Sequence, residues 1–242
     1  MKIYTYFQDI NFKGQGELID LWRISWSRQG YEPIVLSIED AINHHYFETL
    51  DIEMRRIFNV ITGKQITGYG MSCWHRWLAY AAQAEEKFYV SDYDAININF
   101  PITKPSDKLH LMDDACPFFA SGTPKQFEGL CKAFVDVSNE RLNILTKQAD
   151  HYHDQNFFMH NFIPHYNDDC ENYKTKYNIL MTRDRPAIGG MYDPQANISQ
   201  QSVCHISHHC LSMLQEKYER YRNIDQNELR VKVVKTLLNI TK

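Results

Sequence analysis

The segment Phe88-Tyr89-Val90-Ser91-Asp92-Tyr93-Asp94-Ala95-Ile96-Asn97 constrains this chain more than any other. An apolar run stops at two carboxylates one residue apart and then turns apolar again. A short apolar run closed by polar residues has the pattern of a buried strand, and in an open α/β sheet ligands bind beyond the carboxyl ends of the strands. Residues i and i+2 of an extended chain project to the same side. Asp92 and Asp94 are therefore expected to approach one hard divalent cation, Mn2+ or Mg2+. Such a cation would bridge to diphosphate oxygens and neutralise charge on a leaving group. Two aspartates also suit a solvated turn after a strand, and it is the position of the run in the chain that favours a site.

That position follows from what precedes it. Lys2 to Phe7 has the alternation of a first strand, ending at Gln8-Asp9. Leu18, Leu21, Trp22 and Trp26 then form one helical stripe, stopped by Gly30. Pro33 to Ile38 predicts a second buried strand that exits at Glu39-Asp40, and Trp74, Trp77, Leu78, Ala81 and Ala82 predict a helix from about Ser72 to Glu86. The order β, α, β, α, β with short connections implies a mostly parallel, Rossmann-like α/β sheet flanked by helices. Its third strand delivers Asp92 and Asp94. After Pro101 a strand around 116–122 leads into a helix from about Lys125 to Lys147. Asp150 to Asp169 has no clean period and is expected to form site-lining loops with one short helix. Val203 to Ser207 predicts a late strand, and two terminal helices follow, the last docked through Leu229, Val233, Val234, Leu237 and Leu238. The chain divides into a first half of about 1–100, a second half of about 101–210 and C-terminal helices over about 211–242, all within one domain spanning 1–242.

Composition excludes several other classes. The 242 residues, 43% hydrophobic and 23% charged, suit a globular chain rather than a disordered or collagen-like one. A net charge of −4 and no basic run remove the electrostatic footprint of a nucleic-acid binder, so anionic ligands have to be met locally. No apolar run has the length of a membrane span. Met1 to Phe7 lacks the pattern of a secretory signal, and the six scattered cysteines form no disulfide framework, which together lead to the expectation of a cytoplasmic protein with reduced thiols. No G-x-x-x-x-G-K-S/T, G-x-G-x-x-G or G-x-S-x-G is present, which removes the commonest NTPase, dinucleotide and hydrolase signatures.

The stretch from Trp74 to Asn97, a helix carrying Arg76 and Leu78 followed by a strand ending in Asp92-Tyr93-Asp94, resembles the D-x-D region of GT-A fold nucleotide-sugar-dependent glycosyltransferases. The resemblance covers roughly the first 100 residues. It departs from many such enzymes at Ala84-Glu85-Glu86, where they carry Gly-Gly. It implies a GT-A-like fold and a donor site in which Tyr6, Phe7 and Gln8 follow the first strand, Asp40 closes the second, and Arg76, Asp92 and Tyr93 meet the nucleotide sugar. It also implies a metal held by Asp92, Asp94 and a late histidine, for which His205 is the candidate and His208 the reserve. A carboxylate from the second half faces the sugar and acceptor, and Asp154 fits that place. As a general base it would deprotonate an acceptor hydroxyl; otherwise it would position the donor. Asp154 also suits the start of a short helix. Imidazole beside two carboxylates would favour Mn2+ over Mg2+. Cys204-His205-Ile206-Ser207-His208-His209-Cys210 offers zinc ligands as well, but no second half-site with structural spacing accompanies it.

The expected activity is transfer of a hexose from a nucleotide diphosphate sugar to a hydroxyl of a glycan or glycoside. A metal-dependent nucleotidyltransferase and a non-catalytic nucleotide-binding module are the alternatives. Ser121-Gly122-Thr123-Pro124 is either an anion-facing helix start or a plain cap. Arg183-Asp184-Arg185 with Gly189-Gly190 is either a lid or a surface loop, and the four tryptophans are expected in the core.

Overall fold

The computed structural model describes residues 1–9, 14–112, 116–146, 152–182 and 202–240. The first strand, β1 (Lys2–Tyr6), pairs in parallel with β2 (Glu32–Leu36) on one side and with β3 (Phe88–Ser91) on the other. Between β1 and β2 lies α1 (Gln15–Ser27), which buries Leu18, Leu21, Trp22 and Trp26 as its periodicity requires. Gly30, at φ +83, supplies the left-handed turn that returns the chain to the sheet.

The connection from β2 to β3 differs from the single helix expected. It holds α2 (Ile38–Ile42), α3 (Phe47–Thr62) and α4 (Gly68–Ala81). In α3 the buried residues are Leu50, Met54, Ile57 and Ile61, an amphipathic stripe that is plain in the sequence. The fourth helix starts at Gly68 rather than Ser72, because the Thr67 hydroxyl caps it by accepting from the Gly70 N–H at 3.0 Å.

Beyond β3 the chain forms β4 (Ala95–Asn97), β5 (Leu109–Leu111) and β6 (Phe119–Gly122). Next come α5 (Pro124–Glu140), α6 (Leu142–Leu145), α7 (Asp154–Phe162) and α8 (Cys170–Lys176). The chain continues through β7 (Ile179–Met181), β8 (Val203–His205), α9 (His208–Lys217) and α10 (Gln226–Leu237). Helix α5 opens on a capping box between Thr123 and Gln126 with Pro124 in its first turn, so Ser121 to Pro124 is a strand end and a cap. The helix expected to reach Lys147 breaks at Arg141, and residues 147–151 lie outside the described residues. So does the 183–190 segment.

Six strands form one mixed sheet in the order β2-β1-β3-β6-β5-β7. The pairs β2-β1, β1-β3 and β5-β7 are parallel, whereas β6 runs antiparallel to both of its neighbours. Strands from both halves of the chain therefore share a single sheet. Its residues alternate between two cores. Tyr4, Phe88, Val90 and Ala120 face the side packed by α3, α4, α5 and α7, while Ile3, Tyr89 and Phe119 face the side packed by α1, α9 and α10. Trp22, Trp26, Trp74 and Trp77 are fully buried in these layers. A two-stranded antiparallel sheet, β4-β8, joins the second layer and sets Ala95 opposite His205. None of the six cysteines is in a disulfide, and among the described residues no helix is long and apolar enough to cross a membrane.

Candidate functional site

A cleft opens where β1 and β3 end. The last residue of β3, Ser91, is pinned from below, its hydroxyl accepting the Trp22 indole N–H at 2.9 Å. The chain then turns rather than extending: the Ala95 N–H donates to the Asp92 carbonyl at 3.0 Å, which closes a four-residue turn over Asp92-Tyr93-Asp94-Ala95. The two carboxylates do reach the same cleft, but the turn, and not the side-chain alternation of a strand, directs them there.

Each carboxylate has its own cationic partners. Asp92 is bound to Arg76 of α4, whose guanidinium also donates from Nε and Nη2 to Asp154 at 3.0 and 2.5 Å and lies over the Trp77 ring at 4.9 Å. Asp94 faces His205 at 3.3 Å and Arg230 of α10 at 3.8 Å. The register that opposes Ala95 to His205 delivers the imidazole, and Phe118 stacks on it with centroids 4.5 Å apart. The carboxylates of Asp92 and Asp94 and the imidazole of His205 place one ligand-type atom each within 4.8 Å of one another. Two carboxylates and an imidazole at that spacing are a donor set that suits Mn2+ or Mg2+.

Titration divides the site. Burial raises the Asp92 carboxyl, Arg76 pulls it back, and Asp94 pushes it up again, with a net upward shift. Burial acts the same way on Asp94, but His205 and Arg230 outweigh it and hold its carboxyl at about 2. Burial lowers His205, and Asp94 with Cys116 more than reverses this, so its pKa lies well above the usual imidazole range. Burial also raises the Cys73 thiol in the cleft, which keeps it protonated.

The remaining expected residues differ in how they relate to the cleft. Tyr6, Arg76 and Tyr93 line the cleft. Phe7 meets Tyr93 edge to face at 5.9 Å, and Gln8 accepts from the Tyr6 hydroxyl at 3.1 Å, so both support lining residues. Asp40 is turned to a different task, its carboxylate accepting the Ser37 N–H at 2.7 Å in the capping box of α2. Asp154 is buried at the start of α7. Its Oδ2 accepts from Arg76 and from Trp77 at 2.9 Å, and its Oδ1 accepts the Gln155 N–H at 2.9 Å. Burial raises its carboxyl, and Arg76 with His153 and Trp77 lowers it further than that, leaving it below the usual range. It stands behind Arg76 and is not among the residues that line the cleft. His208 lines the cleft, with Nδ1 3.1 Å from the Gln226 side chain.

Gln15, Tyr69, Cys73, Asn227 and Arg230 also line the cleft and were not expected there. Gln15 orients Tyr93, donating to its hydroxyl at 3.0 Å. Arg230 carried a readable signal, since it falls between the apolar residues Leu229, Val231, Val233 and Val234 of one amphipathic helix.

A second group of ligand-type side chains, His44, His45 and Glu128, fits a cation less well. The Tyr46 N–H donates to His44 Nδ1 at 3.2 Å, which places the proton of the neutral ring on Nε2, the atom that faces Glu128. Lys132 already stands 2.5 Å from Glu128. No family model and no curated protein matches the sequence.

Proposed function

We propose that the protein is a metal-dependent glycosyltransferase that moves a hexose from a nucleotide diphosphate sugar to a hydroxyl of a glycan or glycoside. The observation that carries this reading is the convergence of Asp92, Asp94 and His205 in a cleft at the ends of β1 and β3. Those three residues would hold Mn2+ or Mg2+, and the cation would offset charge on the departing diphosphate. The aromatic side chains of Tyr6, Tyr69 and Tyr93 along the cleft suit the base and sugar rings.

Of the two roles open to Asp154, positioning fits its surroundings. A general base needs a lone pair directed at the substrate, and both oxygens of Asp154 are engaged by Arg76, Trp77 and Gln155. Asp154 then acts through Arg76, fixing the guanidinium that meets Asp92. The reading is tested by thermal stabilisation with UDP, GDP, CDP and dTDP in the presence and absence of Mn2+. One nucleoside diphosphate should stabilise the protein only with metal, and Asp94→Ala should remove both that effect and metal-dependent donor hydrolysis while the far-UV circular dichroism is retained. Unchanged hydrolysis in Asp94→Ala would sink the proposal, and stabilisation by nucleoside triphosphates but not by nucleotide sugars would move it to nucleotidyl transfer.

A further inference from the structure

Arg230 is 3% exposed, projects from α10 into the cleft, and is not used up by its neighbours. Its contact with Asp94 is made by Nη1 alone, at 3.8 Å. Nε and Nη2 have no hydrogen-bond partner among the described residues. A buried charged donor left without a partner is costly and rare in folded proteins. Nε–H and Nη2–H form one edge of the guanidinium and point the same way, the edge that grips a carboxylate or phosphate with two parallel bonds. The same molecule shows that grip elsewhere: Arg55 donates from Nε and Nη2 to the two oxygens of Asp51 at 2.7 and 3.2 Å. In Arg230 the corresponding edge meets no such partner among the described residues.

The surroundings narrow what would fill it. A plain anion entering the cleft would meet the carboxylates of Asp92 and Asp94. An anion that carries its own divalent cation would turn that repulsion into attraction. We infer that Arg230 is a ligand of the diphosphate group of a metal-bound nucleotide, its free guanidinium edge taking two phosphate oxygens on the side of the cleft opposite Arg76. This rests on the reading of the cleft as a metal-diphosphate site, and it makes the last helix part of the binding machinery.

The test uses inorganic pyrophosphate and Mn2+ as probes, titrated calorimetrically into the full chain as wild type, Arg230→Lys and Arg230→Gln. Lysine keeps a charge beside Asp94 and loses the planar fork, so it separates bidentate binding from simple charge balance. Both variants should bind pyrophosphate with Mn2+ about 10- to 100-fold more weakly than wild type, while Mn2+ alone binds no more weakly. A purely structural arginine would lower the melting temperature and leave the pyrophosphate affinity of the folded fraction unchanged. Pyrophosphate affinities within about two-fold of wild type in Arg230→Lys, or no pyrophosphate binding by the wild type, would overturn the assignment. Binding that depends on Arg230 in a protein that hydrolyses no nucleotide sugar would leave this inference standing and remove the glycosyltransferase reading.

Discussion

The two walls of the cleft are built to opposite plans. On one, Arg76 lies between Asp92 and Asp154, one cation against two carboxylates, and the buried polar atoms of this wall are engaged through Trp77 and Gln155 as well. On the other, Asp94 meets both His205 and Arg230, two cationic side chains against one carboxylate, and Arg230 Nε and Nη2 have no hydrogen-bond partner among the described residues. A saturated network rigidifies, whereas an incomplete one has capacity for a ligand. The first wall is a foundation that fixes Asp92, and on the proposed reading the second is the side that would receive a ligand.

Breaking the saturated wall should have the largest effect. Arg76→Met leaves Asp154 charged, buried and without its cation, a loss expected to cost about 3–5 kcal/mol, or a fall of roughly 6–20 °C in melting temperature by calorimetry. The same variant frees Asp92, so added Mn2+ should raise its melting temperature by more than it raises that of the wild type. An equal or smaller rise would mean that Asp92 is not a metal ligand.

The other wall should show itself through pH. Asp94, with its carboxyl at about 2, contributes stability that is present above the unfolded carboxylate range and is lost as pH falls from about 4 towards 2. His205 is raised, so its contribution is present below about 6.5, the unfolded imidazole value, and is lost as pH rises through its folded value. Metal binding has the reverse dependence on the alkaline side, because the imidazole must give up its proton to coordinate. Mn2+ affinity should therefore climb by about ten-fold per pH unit as pH rises towards the folded value of His205, and level off once the imidazole is neutral. In His205→Gln that slope should vanish, and a slope that persists would assign the proton elsewhere.

The smallest effect is expected between the walls. Tyr93→Phe removes the hydroxyl that accepts from Gln15 at 3.0 Å and should cost about 0.5–1.5 kcal/mol in chemical denaturation. Mn2+ affinity should be unchanged, since the turn that aims Asp92 and Asp94 is a backbone feature. A large loss of metal affinity in this variant would show that the ring, and not the turn, positions the carboxylates.

What could be read in the sequence follows the range of the interactions. Local periodicity exposed β1, α1, β2, β3 and the buried tryptophans, and strand-end logic brought out Asp92 and Asp94. The stripe Leu50, Met54, Ile57, Ile61 is as regular as any of these, so α3 too has a clear local signal in the sequence. Other features had no local trace. That β6 inserts antiparallel beside β3 is decided by strand pairing between distant segments, and Arg76 meets Asp154 across 78 positions of chain. The fate of Asp40 illustrates the converse, since Ser37 lies three residues away and its capping box competes for the carboxylate.

The pairing of β4 with β8 has a consequence of its own. It sets Asp94, next to Ala95, beside His205 at the other end of a chain segment of roughly 110 residues. Two short strands of three residues each hold that closure. A cation shared by Asp94 and His205 would act as a rivet across a long loop, where a cross-link restricts the unfolded chain most. Metal supply would then govern how long the folded molecule survives as well as whether its cleft is competent.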